Sequence, residues 1–160
     1  MMIDQTQWVS ALSALPSEEL LTVTSELSRD WSISPKSLPQ SGLGVLKLND
    51  SAFEEPFYLG EFPLASAWLE IKTADGKMAQ GAAQVMNDRI EVAEALAICD
   101  AVLSAKLPGW EKIAELLKHG KTRQEATRRE RQQILATTQV DFSLLDEASD
   151  DEIGDNNAQS

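Results

Sequence analysis

One cysteine, one histidine and one tyrosine occur in the 160 residues of this chain. A lone cysteine excludes an internal disulfide framework. One histidine with one cysteine falls short of the usual zinc ligand set. A Ser-His-Asp triad would have to use His119, directly ahead of Gly120, which ends a helical pattern. No apolar run reaches the roughly 18 residues that mark a membrane span. No lysine or arginine precedes Arg29, so the N-terminus lacks the positive start of a secretory signal, and a cytoplasmic protein is expected. The sequence contains no G-x-G-x-x-G, no G-x-x-x-x-G-K and no G-x-S-x-G. It therefore offers neither a phosphate-cradling loop nor a nucleophile elbow.

Acidic residues are plentiful. The formal net charge is −12, from 26 acids and 14 bases. Half of that excess lies in the stretch from Asp146 onward, which holds six acids and no base. That composition predicts a disordered acidic tail over residues 147–160, behind a single α+β domain over residues 1–146 with an N-terminal helical arm. Global acidity disfavours DNA or an anionic membrane as the main partner. A hydrophobic fraction of 42% supports a core of ordinary size.

Periodicity orders the elements. Trp8, Leu12 and Leu15 recur at helical spacing before Pro16 interrupts. "PSEELLTVTSEL" restarts a helix, with Pro16 in its first turn, Glu18 and Glu19 at the positive end of the dipole, and Leu20, Val23 (or Thr24) and Leu27 as its apolar stripe. "ISPKSLPQSG" reads as a connector. "GVLKL" predicts a strand, and "FYLGEFPL" a second, bent at Gly60 and ended at Pro63. "ASAWLEIK" alternates cleanly. Asp75-Gly76 marks a hairpin turn, and "KMAQGAAQV" returns as its partner, with Gly81 permitting a close backbone approach. "WEKIAELLKHG" predicts a helix closed by Gly120, and Thr122 with Glu125 a capping box for a last helix to about Ala136. Helices, antiparallel strands and helices in that order favour an α+β fold.

The stretch "MNDRIEVAEALAICDAVL", residues 86–103, gathers Asp88, Glu91, Glu94 and Asp100 around Cys99. Asp88 and Glu91 read as an N-cap and its capping-box partner. At about 100° per residue, Asp100 lies about 180° from Glu91, so the acids do not converge on one metal or acid/base site. The rest is apolar nearly all round and should be buried nearly all round. One sheet covers one side, and the other calls for further helices or a partner protein. Cys99 then fills core, with no base nearby to activate it.

Three further features stand out. The run "KTRQEATRRERQ" sets Lys121, Arg123, Arg128, Arg129 and Arg131 against Glu125 and Glu130. It suits a solvated face or a protein contact. The alternative is a small nucleic-acid-binding regulator using the helix over residues 121–131, although no aromatic residues interleave to stack on bases. Trp68 falls on the polar face of its strand and is a candidate interface anchor. A standalone small enzyme would have to act through Glu61, Asp75 or Glu94.

Residues 5 to 146 resemble a family through the order of their segments. "QWVSALSALPSEEL" is similar to that family's N-terminal helices. "PFYLGEFPLASAWLEIKTADGKMAQGAAQV" is similar to its Leu-Gly-Glu segment (here with Gly60 and Glu61), its alternating strand and its Asp-Gly hairpin (Asp75, Gly76). Ala93-Glu94 and Asp100-Ala101 match an Ala-Glu pair and a later Asp-Ala, and Val140, Asp141 and Phe142 a Val-(Asp/Glu)-Phe segment. The family is PhnG, the G subunit of the bacterial carbon–phosphorus lyase core complex. The chain departs from it at Val92, where the family often has histidine, and at Gln139, where it has arginine. Asn87-Asp88-Arg89 stands in place of a Gly-Arg-Asp approach to the helix.

The resemblance implies a subunit working with the H, I and L subunits. Together they displace adenine from ATP with an alkylphosphonate, giving a ribose 1-alkylphosphonate 5-triphosphate. It implies two copies each of G, H, I and J in the assembly, with J later breaking the C–P bond. ATP is then the substrate of the complex. No cofactor, metal or catalytic residue is implied in this chain, and no activity is expected of it in isolation.

Overall fold

Residues 32–49 hold two prolines, two glycines and four serines, yet they form the longest strand of the protein. The computed structural model describes residues 3–137 and gives the order of elements. A short 3-10 turn, Gln5–Gln7, leads into α1 (Trp8–Leu12) and α2 (Ser17–Leu27). Three strands follow, β1 (Ser32–Asn49), β2 (Pro56–Lys72) and β3 (Met78–Val85), then α3 (Ile90–Ala105) and α4 (Trp110–Thr137). The sheet is antiparallel in the order β1-β2-β3, so the fold is α+β, with helices at both ends of the sequence as expected. The chain divides into one unit ending at Glu125 and a second beginning at Ala126. The expected tail over residues 147–160 lies outside the described residues.

The first unit holds the core. Ala65, Ala67, Leu69 and Ile71 are buried on one face of β2, with Ala83 beside them on β3. α3 packs on that face. Its approach is close because Gly81 has no side chain: a Cβ there would lie 2.6 Å from the Ala101 amide nitrogen, and nearer still to the Ala97 carbonyl oxygen. Ala93, Ala97 and Ala101, spaced by four, give α3 a small-residue stripe, and all three are fully buried. The far side of α3 meets α1 and α2, and Ile113, Leu116 and Leu117 of α4 join the same cluster. Of the two covers expected for the far side of α3, further helices or a partner protein, the helices are present. The chain's own helices cover α3. Nine of its residues are buried, Cys99 among them.

Four local expectations are revised. α3 starts without the Asp88–Glu91 capping box: Arg89 holds the cap position with no side-chain cap, while the Asn87 side chain accepts the Arg89 N–H at 2.9 Å. Gly120 does not end a helix, and α4 runs through it to Thr137. A Cβ at Gly120 would collide with the Ala11 carbonyl, so this glycine serves packing against α1. Thr122 caps nothing and instead donates back to the Lys118 carbonyl at 3.1 Å. Pro63 does not end β2. It sits where β3 no longer pairs, since that pairing begins at Ala65, and an edge tolerates a missing N–H.

The predicted hairpin is present. Gly76 adopts φ +87° in the turn between β2 and β3, a conformation that favours glycine. α3 ends at Lys106, a non-glycine residue at φ +49°, and its ammonium lies 5.6 Å from the centre of the Trp110 ring. That cation–π contact offsets part of the backbone cost.

A candidate protein interface

β3 pairs with β2 only from Ala65 to Lys72, whereas β1 pairs with β2 out to Asn49 and Pro56. Residues 42–64 therefore project as a two-stranded ribbon, about 25 Å beyond the three-stranded part at roughly 3.3 Å per residue. Its tip is built locally. Asp50 accepts the Ala52 N–H at 2.7 Å through its side chain, and its backbone exchanges bonds with Glu54 and Glu55 at 2.9 Å. One bulge, between Leu46 and Lys47, shifts the register.

The ribbon is apolar on both faces. Leu46, Leu48, Phe57, Phe62 and Leu64 occupy one, continuous with the outer face of the sheet that carries Trp68. The Phe62 ring lies across Gly44, whose missing Cβ leaves room for it; a Cβ there would be 2.6 Å from a ring carbon. Leu43, Val45, Tyr58 and Pro63 lie on the opposite face, together with the charged Lys47 and Glu61 that pair with Tyr58 and Val45. Leu43 and Tyr58 are each 68% exposed, and Phe53 at the tip is 77% exposed. Leu43, Val45, Leu46, Leu48, Phe53, Phe57, Tyr58 and Leu59 are all among the exposed large apolar residues. Taking about 200 Å² for each such residue, their exposed area is on the order of 1,000 Å². That area is spread over two opposite faces and the tip; only taken together does it reach one side of a standard interface, about 800 Å².

The sequence-predicted residues do not converge. Gly60 and Glu61 lie on the ribbon, opposite Leu46 and Val45. Trp68 is 45% exposed on the outer face of β2. Asp75 and Gly76 lie past the other end of β2, and eleven residues of strand, roughly 35 Å, separate Glu61 from Lys72. Asp75 accepts from the Thr73 hydroxyl and lies 3.6 Å from the Lys77 ammonium. The Thr73 hydrogen bond, helped by the Lys77 charge, holds its carboxyl below the usual carboxylate range. The residue is tied into its own turn.

On α3, Ala93 is buried and Glu94 is half-buried, with no hydrogen bond or ion pair among the described residues. Asp100 has a clear task. One carboxylate oxygen accepts from the Gln5 side-chain amide at 2.9 Å, and the other from the Ala82 N–H of β3 at 3.0 Å. It ties the N-terminal segment and the sheet to α3. Val140, Asp141 and Phe142 lie outside the described residues. Cys99 is fully buried, and its thiol is pushed up to about 12 by burial and by the neighbouring Asp100 charge.

A hollow of about 440 Å³ beside α1 is lined by Thr6, Ser10, Ser13, Gln84, Asn87 and apolar neighbours, with no ionisable side chain. Of the positions discussed in the sequence, Asn87 and Val92, two departures from the family pattern, line it, whereas Glu61, Trp68, Asp75, Glu94 and Asp100 do not. Among the described residues no three His, Cys, Asp or Glu side chains are placed to hold a metal ion, and no helix is long and apolar enough to cross a membrane. The basic run falls on α4, where Arg123, Arg128, Arg129 and Arg131 are exposed; Lys121 donates to the Gln7 side chain at 3.1 Å.

Sequence reasoning found both strands of the ribbon but missed their pairing beyond β3. The usable signal was two charge-poor apolar segments, "GLGVL" and "PFYLG", flanking the polar turn "NDSAFEE".

Fold and surface define a class: a small α+β protein whose sheet is covered by helices on one face and extends into an uncovered apolar ribbon. Residues 4–146 match the family described as phosphonate metabolism protein PhnG, and the chain belongs to that family. Its role accordingly lies in phosphonate metabolism. Comparison with curated proteins returns no match.

Proposed function

We propose that this protein is a non-catalytic assembly subunit of the carbon–phosphorus lyase core complex. It acts with the H, I and L subunits in making ribose 1-alkylphosphonate 5-triphosphate from ATP and an alkylphosphonate. The observation that carries the reading is the ribbon of residues 42–64, whose large apolar side chains are exposed on both faces. Surface of that extent and character is what a subunit buries on assembly. The family supplies the context, phosphonate metabolism, in which that assembly occurs. The chain's part in the transferase reaction is to complete and hold the complex that binds ATP, in two copies, beside the J subunit.

Co-expression with the H, I, J and L subunits tests this. A tagged chain should capture a stoichiometric complex, and the synthase activity of that complex should be lost when the chain is omitted. A chain that captures none of them, or a full-rate synthase without it, contradicts the proposal. Turnover of ATP and methylphosphonate by the isolated chain would contradict its non-catalytic role.

A further inference from the structure

We infer that the ribbon of residues 42–64 inserts into an apolar cleft with a basic rim on a different protein chain, rather than resting on a flat surface or on a second copy of this protein. The inference rests on the assembly reading above and specifies its partner. Three observations support it.

The first is the two-sided character of the ribbon. Leu43, Val45 and Tyr58 lie on one face, and Leu46, Leu48 and Phe57 on the other. A flat partner would cover one face and leave the other in water. Only a cleft, or two walls of one chain, removes both from solvent. Apolar burial scales with area removed, so the enclosed geometry is the favoured one.

The second is charge. The ribbon and its tip carry Asp50, Glu54, Glu55 and Glu61 against Lys47 alone. The chain as a whole has a net charge of −12. A second copy would bring the same carboxylates against these four, and like charges brought together across an interface are strongly disfavoured. A partner with lysine or arginine around an apolar cleft is complementary. It would also associate faster at low salt.

The third is the state of the strand edge. Near the body of the protein the free edge of β1 is guarded: Pro35 and Pro39 interrupt it, Lys36 adds a charge, and the register shifts twice between Pro35 and Gln40. Edges are commonly protected by such devices. From 40 to 46 the guard is lifted. The register with β2 is unbroken there, and "QSGLGVL" contains neither proline nor charge. An edge left open along the apolar stretch suits a partner that encloses it and supplies hydrogen bonds.

The test uses the full chain and the subunits co-expressed with it above. The variants are Leu43→Asp with Tyr58→Asp and, separately, Glu54→Lys with Glu55→Lys. Leu43 and Tyr58 are 68% exposed and lie outside the helix-covered core, so the fold should survive; unchanged thermal melting checks this. The first pair should weaken capture of the partner by at least about thirtyfold, the scale of losing an interface hot spot. The charge pair should weaken it and flatten its salt dependence. Analytical ultracentrifugation of the free wild-type chain should show a monomer.

Equal capture by wild type and by the Leu43/Tyr58 variant would overturn the inference while leaving the assembly role standing. A wild-type chain that captures no subunit would remove both. A free dimer that the same substitutions convert to monomer would overturn it in favour of a second copy.

Discussion

Replacing Gly81 by alanine should destabilise the protein by about 2 kcal/mol, and the structure shows why the sign is not that of an ordinary glycine substitution. At a strand position with unremarkable backbone angles, Gly→Ala reduces the entropy of the unfolded chain and gains about 0.4–1 kcal/mol. At Gly81 the added Cβ would lie 2.6 Å from the Ala101 nitrogen and 2.9 Å from its Cβ, with the Ala97 carbonyl oxygen closer still. Two of those three atoms are helix backbone and cannot rotate away. Ordinary contact needs about 3.5 Å or more, so α3 would have to lift off β3 by about 1 Å. Lifting it loosens Ala93, Ala97 and Ala101 together, because one rigid helix carries all three. Overpacking costs about 1–3 kcal/mol, and backbone obstruction places this site toward the upper end. After subtracting the entropic gain, about 2 kcal/mol remains, or roughly 6–10 °C in melting temperature. Urea unfolding followed by tryptophan fluorescence measures it. Gly42→Ala is the control, since nothing lies within 4 Å of a Cβ there and its φ is ordinary; it should change stability by less than about 1 kcal/mol. A Gly81→Ala protein as stable as the control would refute the close-packed account of α3 on the sheet.

Two predictions concern single groups on α3. Cys99 should resist iodoacetamide in the folded protein and react on unfolding, because its buried thiol is raised to about 12. A raised folded pKa means that the native state holds the proton longer than the unfolded one. Stability should therefore be insensitive to this group below about pH 9 and fall by up to about 1.4 kcal/mol per pH unit above it. Cys99→Ala should remove that part of the slope, and identical slopes would contradict the assignment. Asp100→Ala should cost about 1–2 kcal/mol by releasing the Gln5 amide and the Ala82 N–H, and amide exchange at Ala82 should quicken. Unchanged exchange would show that Asp100 does not hold the sheet.

Much of the body of this protein is written locally, and much of its interface is not. Pro16, Glu18 and Glu19 announce α2, and Asp75-Gly76 announces the β2–β3 turn, because caps and turns depend on neighbours in sequence. Gly81 was legible as a close-approach site because a glycine inside an alternating strand has few other uses, although the helix that approaches it was not. Gly120 was not. A glycine after a helical run resembles a stop, and only the Ala11 carbonyl more than a hundred residues away shows that it is a gap left for α1. The first half of β1 was hidden by its own edge protection: Pro35 and Pro39 resemble a connector, yet on an edge strand they are tolerated, whereas "GVLKL" was legible as a strand. Asp100 could not be assigned from a helical wheel, since its partners, Gln5 and Ala82, come from two other elements. The apolar ribbon was obscured by a reasonable inference. An all-round apolar α3 called for further helices or a partner; the chain's own helices cover it, and the exposed apolar surface lies on the strands.

Hydrogen–deuterium exchange of the chain, free and within the co-expressed complex, tests the central claim most directly. Assembly through the ribbon predicts that residues 42–64 exchange quickly in the free chain and become strongly protected in the complex, while α3 is protected in both. Exchange across residues 42–64 that is the same in the two states would contradict it.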